Sequence, residues 1–346
     1  MVFPNNTYTV ESVLKGHPDK ICDQISDGLL DKYLENDSES HVAIECLGTG
    51  NTLVVAGEVS TRANIAIEPI CKELYKQITG FSCLNVVNLL STQSRQLVNA
   101  VSNGGAGDQG VMYGYACNSQ YNYLPYGYWL VNTLAKRLDL LREETHAFLP
   151  DGKIQAIVSN DAVTQLTINV QHLADADMEM LCSLIQDHIA SDIDIRKTVI
   201  NPDHGFVRGG FDNDTGLTGR KIIIDAYGGL APHGGGAFSG KDPSKVDRSA
   251  AYMCRFVAKN LVANGLANEC CISVSYNFGE EYPPMICATE GGQVSETLTK
   301  YIIQTFDFRP QAIIERLNLK HTKYLPTATY GHFTDPLYPW EIITEL

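Results

Sequence analysis

The densest run of chemically capable side chains lies between Gly205 and Arg248. These 44 residues hold eleven glycines and six of the chain's 26 cations: Arg208, Arg220, Lys221, Lys241, Lys245 and Arg248. Asp212, Asp214, Asp225, Asp242 and Asp247 are interleaved with them. Packing explains charges among glycines poorly. A polyphosphate carrying magnesium explains them well, because cations neutralise phosphate oxygens while carboxylates hold the metal. Within this run Gly235-Gly236-Ala237-Phe238-Ser239-Gly240-Lys241 has Walker A spacing. Asp242 stands where Ser or Thr should bind magnesium, and a glycine cluster precedes the motif instead of a strand, so a true P-loop is not expected.

Two shorter segments offer the same kind of chemistry. In Gly16-His17-Pro18-Asp19-Lys20, Pro18 suits the first position of a helix. The start of that helix presents free N–H groups and a positive dipole end, both favourable to a phosphate. Lys20 adds a full charge, and Asp19, about 100° away around the helix, is placed to hold a metal on the same phosphate. A capped surface helix accounts for the segment equally when it is read alone. Gly104-Gly105-Ala106-Gly107-Asp108-Gln109-Gly110 has four glycines in seven residues, a pattern for close ligand approach or for a tight turn.

The elements that must position these residues alternate along the chain. Ile21, Ile25, Leu29 and Tyr33 recur every four residues and predict a helix over 18–35. Strands are predicted at His41–Leu47 and Thr52–Val59, helices at 62–78 and 86–99, a strand at Val111–Cys117 and a helix at 127–143. Strands at 154–158 and 163–170 and a helix at 175–192 follow. Further on, Lys221–Ala226 reads as a buried strand, 244–264 as the clearest helix, Cys270–Tyr276 as a strand, and 295–305 and 309–317 as helices. This order predicts α+β layers and not a doubly wound parallel sheet. No internal repeat is evident by inspection.

Composition sets the outer bounds. Apolar residues make up 44% of the 346, enough for a sizeable core. A formal charge of −14 argues against nucleic acid or an anionic membrane as partner. An acidic protein that binds phosphate must concentrate its cations, as the 205–248 segment does. No run approaches the roughly 20 apolar residues that span a bilayer. Met1–Tyr8 lacks a basic start and an apolar run, so a cytoplasmic protein without a signal peptide is expected. The ten cysteines show no CxxC pair, consistent with free thiols.

Several of these stretches, taken in order, resemble the S-adenosylmethionine synthetases (methionine adenosyltransferases). They are Glu11-Ser12-Val13, Gly16-His17-Pro18-Asp19-Lys20-Ile21 with Asp23-Gln24-Ile25-Ser26-Asp27, and Gly105-Ala106-Gly107-Asp108-Gln109-Gly110. Gly216-Leu217-Thr218-Gly219-Arg220-Lys221, His233 through Pro243, Lys245 through Tyr252, Tyr330-Gly331-His332-Phe333 and Pro339-Trp340-Glu341 complete the likeness. It spans nearly the whole chain.

The resemblance implies three similar interleaved α/β-layer domains around a pseudo-threefold axis. Residues 16–118 would form a central domain, 1–15 with 119–209 an N-terminal domain, and 210–346 a C-terminal domain. It implies a homodimer with shared active sites, which could pair into a tetramer, and two magnesium ions and one potassium ion per site. ATP, L-methionine and water would give S-adenosylmethionine, pyrophosphate and phosphate. Methionine sulfur would attack the ribose C5′, and the bound tripolyphosphate would then be hydrolysed.

By the same resemblance, His17, Lys20, Lys153, Arg220 and Lys241 are the catalytic set, with His17 near the bridging oxygen. Lys221 joins the phosphate contacts, and Asp108, Asp151, Gly152, Gly205, Phe206, Asp214 and Ala237 line the nucleotide. Glu58, Gln93, Asp214 and Lys245 would take methionine. Asp19 and Asp247 would hold magnesium and Glu45 potassium, while His233 and His332 would be structural. The thioether carries no proton, so the reaction needs no general base. It needs positioning and stabilisation of a highly charged leaving group.

The chain departs from the family pattern in a shorter segment between Gln93 and Asp108, and at Leu14-Lys15, Ile154, Gly205 and Phe278. Two alternatives are a magnesium-dependent polyphosphate or nucleotide hydrolase and a catalytically weak regulatory paralogue. The retained methionine set opposes the first, and the presence of His17, Asp19 and Lys241 opposes the second.

Overall fold

The fold is that of a computed structural model describing residues 7–93, 104–189, 193–203 and 205–346. Its strands are β1 (Thr7–Val13), β2 (His41–Thr49), β3 (Thr52–Ser60), β4 (Asn85–Ser91), β5 (Gly110–Cys117) and β6 (Gly152–Ser159). They continue with β7 (Ala162–Val170), β8 (Thr198–Ile200), β9 (Gly216–Leu217), β10 (Glu269–Tyr276), β11 (Met285–Glu290) and β12 (Gln293–Val294). The helices are α1 (Pro18–Asn36), α2 (Ile67–Thr79), α3 (Tyr126–Thr145), α4 (Met178–Ile189), α5 (Ile222–Ala226), α6 (Val246–Ala263), α7 (Glu296–Thr305) and α8 (Pro310–Arg316).

The strands form three four-stranded sheets, ordered β1-β6-β7-β8, β4-β3-β2-β9 and β12-β11-β10-β5. One plan recurs in all three. A helix leads into an antiparallel hairpin and another helix follows: α1-β2-β3-α2, α3-β6-β7-α4 and α6-β10-β11 with β12 before α7. Each hairpin is extended by an antiparallel strand from a distant part of the chain: β9 beside β2, β1 beside β6, β5 beside β10. Three α/β layers therefore interleave, and the repeat that the sequence conceals is plain in the topology. Gly110–Cys117 precedes α3 in the chain yet belongs to the third sheet.

Alternation explains how the sheets seat their helices. On β2, Val42, Ile44, Cys46 and Gly48 are buried toward the helices, while Glu45 and Leu47 face away. On sheet three the layers meet closely, since a Cβ at Gly114 would stand 2.1 Å from the backbone of Cys254 in α6.

Two predicted elements change type. The helix expected at 86–99 is a strand over Asn85–Ser91, parallel to β3, and residues 94–99 lie outside those described. Val86 and Val87 favour a pleated edge, and a short apolar run does not distinguish the two states. The strand expected at Lys221–Ala226 is the short helix α5. There the Asp225 N–H donates to the Lys221 carbonyl at 2.9 Å, and burial of Asp225 against Lys20 outweighs the strand propensity of three isoleucines.

Candidate active site

Helix α1 carries four aspartates at i, i+4 spacing: Asp19, Asp23, Asp27 and Asp31. Such a stripe reads as a solvated face, yet all four are buried. Each accepts backbone N–H groups from distant loops. Asp19 takes Leu217 at 3.0 Å, Asp23 takes Gly219 at 2.8 Å, Asp27 takes Gly240 at 2.8 Å, and Asp31 takes Tyr324 at 2.7 Å and Leu325 at 3.0 Å. Asp23, Asp27 and Asp31 thus fix segments outside the sheets, while Asp19 ties α1 to the two-residue strand β9. Gly240 allows one such approach: its φ is +79°, and a Cβ there would lie 1.9 Å from the Ile44 carbonyl oxygen.

The first loop so held brings cations to the start of α1. Lys221 Nζ lies 2.5 Å from Asp19 and Arg220 Nε 3.6 Å from it. His17 caps the helix, its Nδ1 accepting the Asp19 N–H at 3.2 Å. Burial first, then the Lys221 charge, pushes its pKa down to about 3, with Lys153 and Lys20 acting in the same direction. The ring is therefore neutral at pH 7. With Nδ1 accepting, its proton sits on Nε2, where it is a donor. Burial raises Asp19, but Lys221 and the Leu217 N–H outweigh it and hold the carboxyl below its ordinary range. Asp151 accepts the Gly210 N–H at 2.8 Å, and burial pushes it up to about 6, with Asp214 and Lys221 close enough to act on it. Lys153, beside Gly152 on β6, reaches Glu11 at 3.3 Å.

The second cationic point is Lys241, whose Nζ lies 2.5 Å from Asp247 in the first turn of α6. It adjoins the first, since a Cβ at Gly219 would stand 2.6 Å from the Ala237 side chain. The Walker-like spacing forms no P-loop. Asp242 is buried, accepting Val42 N–H at 2.7 Å and Ser244 N–H at 2.8 Å. Lys245 caps α6 and lies 3.3 Å from Asp242.

Lys20, expected at the phosphates, points into the core. Its ammonium is 1% exposed and pairs with Asp225 and, at 3.0 Å, with Asp23. Those carboxylates outweigh the effect of burial and raise its pKa. Two of the remaining predicted residues lie on the second sheet. Glu45 and Glu58 are exposed on one face, Glu45 opposite Ala56 and Glu58 opposite Ala43. Lys241 bridges to Ala43 through its backbone. Asp108 and Asp214 are exposed, as is Gly205, and the Phe206 carbonyl accepts the His172 N–H at 3.0 Å. Gln93 is buried, and among the described residues neither of its side-chain polar atoms has a hydrogen-bond partner; the shortened segment beyond it, 94–103, lies outside those described.

Sequence reasoning gave His332 a structural role but missed the supporting work of Asp23, Asp31 and Asp225 and the chain that links Asp27, Arg248 and Tyr252 to that histidine. The available signal was α1 itself, where apolar and small residues fill the other faces and leave no solvated side for the aspartates.

Comparison with known proteins fits this geometry. Residues 5–103 match the S-adenosylmethionine synthetase N-terminal domain, 103–206 the central domain and 208–342 the C-terminal domain. The S-adenosylmethionine synthase of Petrotoga mobilis is 42% identical over 382 aligned positions, covering 96% of this chain and 95% of the relative. That of Pseudothermotoga lettingae is 43% identical over 379, covering 96% of each. That of Borreliella afzelii is 39% identical over 375, covering 99% of this chain and 96% of the relative.

Proposed function

We propose, from the premise that this chain belongs to the S-adenosylmethionine synthetase family and is a methionine adenosyltransferase, that its triphosphate site is the surface joining the start of α1 to loops 216–221 and 236–247. One observation carries this placement: the half-exposed cations Arg220, Lys221 and Lys241 converge there beside Asp19, Asp247 and a neutral His17.

In the reaction the methionine sulfur lone pair forms the S–C5′ bond as the C5′–O bond breaks, and the triphosphate leaves with the electron pair. No proton moves in this step. His17 Nε2–H donates toward the bridging oxygen, while Arg220, Lys221, Lys241 and Lys153 offset the charge that grows on the leaving group. Hydrolysis of the bound tripolyphosphate then uses the same cations.

Asp151, Gly152, Gly205, Phe206, Ala237 and Asp108 border the nucleotide, and Glu58, Gln93, Asp214 and Lys245 the methionine. Magnesium, two ions per site, would supply further charge neutralisation on the polyphosphate. The donors fit it. Among the described residues no three His, Cys, Asp or Glu side chains gather into a metal site. Asp19 and Asp247 would thus give one carboxylate each, with phosphate and water oxygens completing the shell. Glu45 gives one oxygen toward potassium.

The second sheet supports a homodimer with shared sites. Its outer face exposes Leu47, Val87 and Leu89 around Glu45 and Glu58. A second copy on this apolar face would place both glutamates inside the interface. No described helix is long and apolar enough to cross a membrane, which accords with a cytoplasmic enzyme. We divide the domains at 16–118, 1–15 with 119–209, and 210–346, with β5 pairing across into the last.

The test is incubation with ATP, methionine, magnesium and potassium, followed by separation of products by mass. S-adenosylmethionine with pyrophosphate and phosphate is expected. Phosphate released without a sulfonium product would refute the methionine site.

A further inference from the structure

We propose that Lys20 is a positioning residue that sets loop 216–221 from beneath and does not itself touch the polyphosphate, an inference that rests on the site assigned above. Its two partner residues hold the loop at both ends, one through its carboxylate and one through its backbone. Asp23 accepts the N–H of Gly219, the residue before Arg220, at 2.8 Å. Asp225 lies one helical turn beyond Lys221, and its backbone N–H donates to the Lys221 carbonyl at 2.9 Å. Lys20 therefore ties α1 to the residues on either side of Arg220 and Lys221.

Neighbouring positions on α1 divide the work. Asp19 turns toward the cations of the loop, and Lys20, about 100° around the helix, turns into the core. The far side of Asp225 is closed. The Tyr128 hydroxyl donates to its carbonyl at 3.2 Å, His332 N–H donates to the same carbonyl at 2.9 Å, and the His332 ring stands 4.0 Å from its carboxylate. Lys20 cannot leave this pocket for a phosphate without stranding two buried carboxylates.

The experiment is calorimetric titration of inorganic tripolyphosphate, with magnesium present, into the whole protein and three variants: Asp225→Asn, Lys20→Met and Lys20→Met/Asp225→Asn. Asp225→Asn should weaken binding about tenfold although Asp225 cannot reach the ligand, and the double variant should bind no worse than Lys20→Met, as expected of residues acting as one unit. Unchanged or tighter binding by Asp225→Asn would overturn the proposal, because a released ammonium would then be serving the phosphate. Asp23→Asn loosens the Gly219 end of the loop and should reproduce the loss if Asp225→Asn folds poorly. Arg220→Ala tests the site itself. About a tenfold loss supports it, whereas unchanged binding would mean that the polyphosphate sits elsewhere and would remove the site assignment and this inference together.

Discussion

Two populations of ion pair use the same residue types within the same motifs. In one, Arg248 grips Asp27 at 2.8 and 2.7 Å, and Arg255 and Lys259 converge on Glu341, all of them sealed from solvent. In the other, Lys221 meets Asp19 and Lys241 meets Asp247, with the lysine side chains 17% and 22% exposed. The sealed pairs are saturated. Arg248 also donates to the Lys241 carbonyl and the Thr327 hydroxyl, and Arg255 to the carbonyls of Tyr115, Tyr123 and Asn122. They hold the interleaved layers together. The open pairs keep a face toward solvent, where an anion can exchange for the carboxylate. Charge alone does not separate fastener from working group; burial and hydrogen-bond saturation do.

The sharpest break between the populations is in stability. Arg248→Met leaves Asp27 buried without its partner, and should cost about 3–5 kcal/mol. Denaturant melts would show this as a lower midpoint, and a midpoint like that of the unaltered protein would place Arg248 outside the fasteners. Asp19→Asn and Asp247→Asn act on the open pairs. Each should raise the half-saturating magnesium concentration about tenfold, roughly 1.4 kcal/mol of binding. A magnesium titration that coincides with that of the unaltered enzyme would count against both as metal ligands.

The pH dependence has a definite sign. Native His17 takes a proton only near pH 3, whereas the unfolded chain takes it near the ordinary imidazole value of 6.5. Between those values the unfolded state binds more protons, so this group's contribution to stability is full above about 6.5 and is lost as pH falls. Asp151 and Asp31, both raised by burial to about 6, work the other way: native protein holds their protons more tightly, and their share of stability is lost as pH rises from about 3.8 to about 6. Comparing Asn at position 17 with the native histidine isolates the first effect. His17→Asn should flatten the acid-side slope, and an identical slope would mean that His17 is protonated in the native state. At the small end stands an ordinary surface pair, Lys72 with Glu68 one helical turn away at 2.6 Å. Lys72→Ala should change stability by only about 0.3–0.5 kcal/mol, and a loss as large as that of Arg248→Met would erase the distinction drawn above.

The same contrast explains what could be read from the sequence. Periodicity located α1 and α6, and alternation located the hairpins β2–β3 and β6–β7, because burial on one face writes itself into residue spacing. The glycine-rich cationic segment stood out through composition, and the fold brings its Arg220, Lys221 and Lys241 beside Asp19 and Asp247. The short helix at Ile222–Ala226 stayed hidden because its conformation is set by a buried contact between Asp225 and a residue some 200 positions earlier. The inward direction of Lys20 was hidden for the same reason: in a motif beside Asp19 it reads as a phosphate ligand, and only the packing of α1 shows its ammonium paired with Asp23 and Asp225. The strand extensions β1, β5 and β9 join sheets from far along the chain, a relation that no local window contains.

The most direct test of the central claim is Lys241→Ala, with kcat and the methionine KM measured alongside thermal stability. As a working charge on the leaving group, its loss should lower kcat on the order of 10²-fold, with methionine KM within about threefold of the original and stability changed by no more than about 1 kcal/mol. An unchanged kcat, or a protein that loses stability as Arg248→Met should, would contradict the assignment of Lys241 to the chemistry.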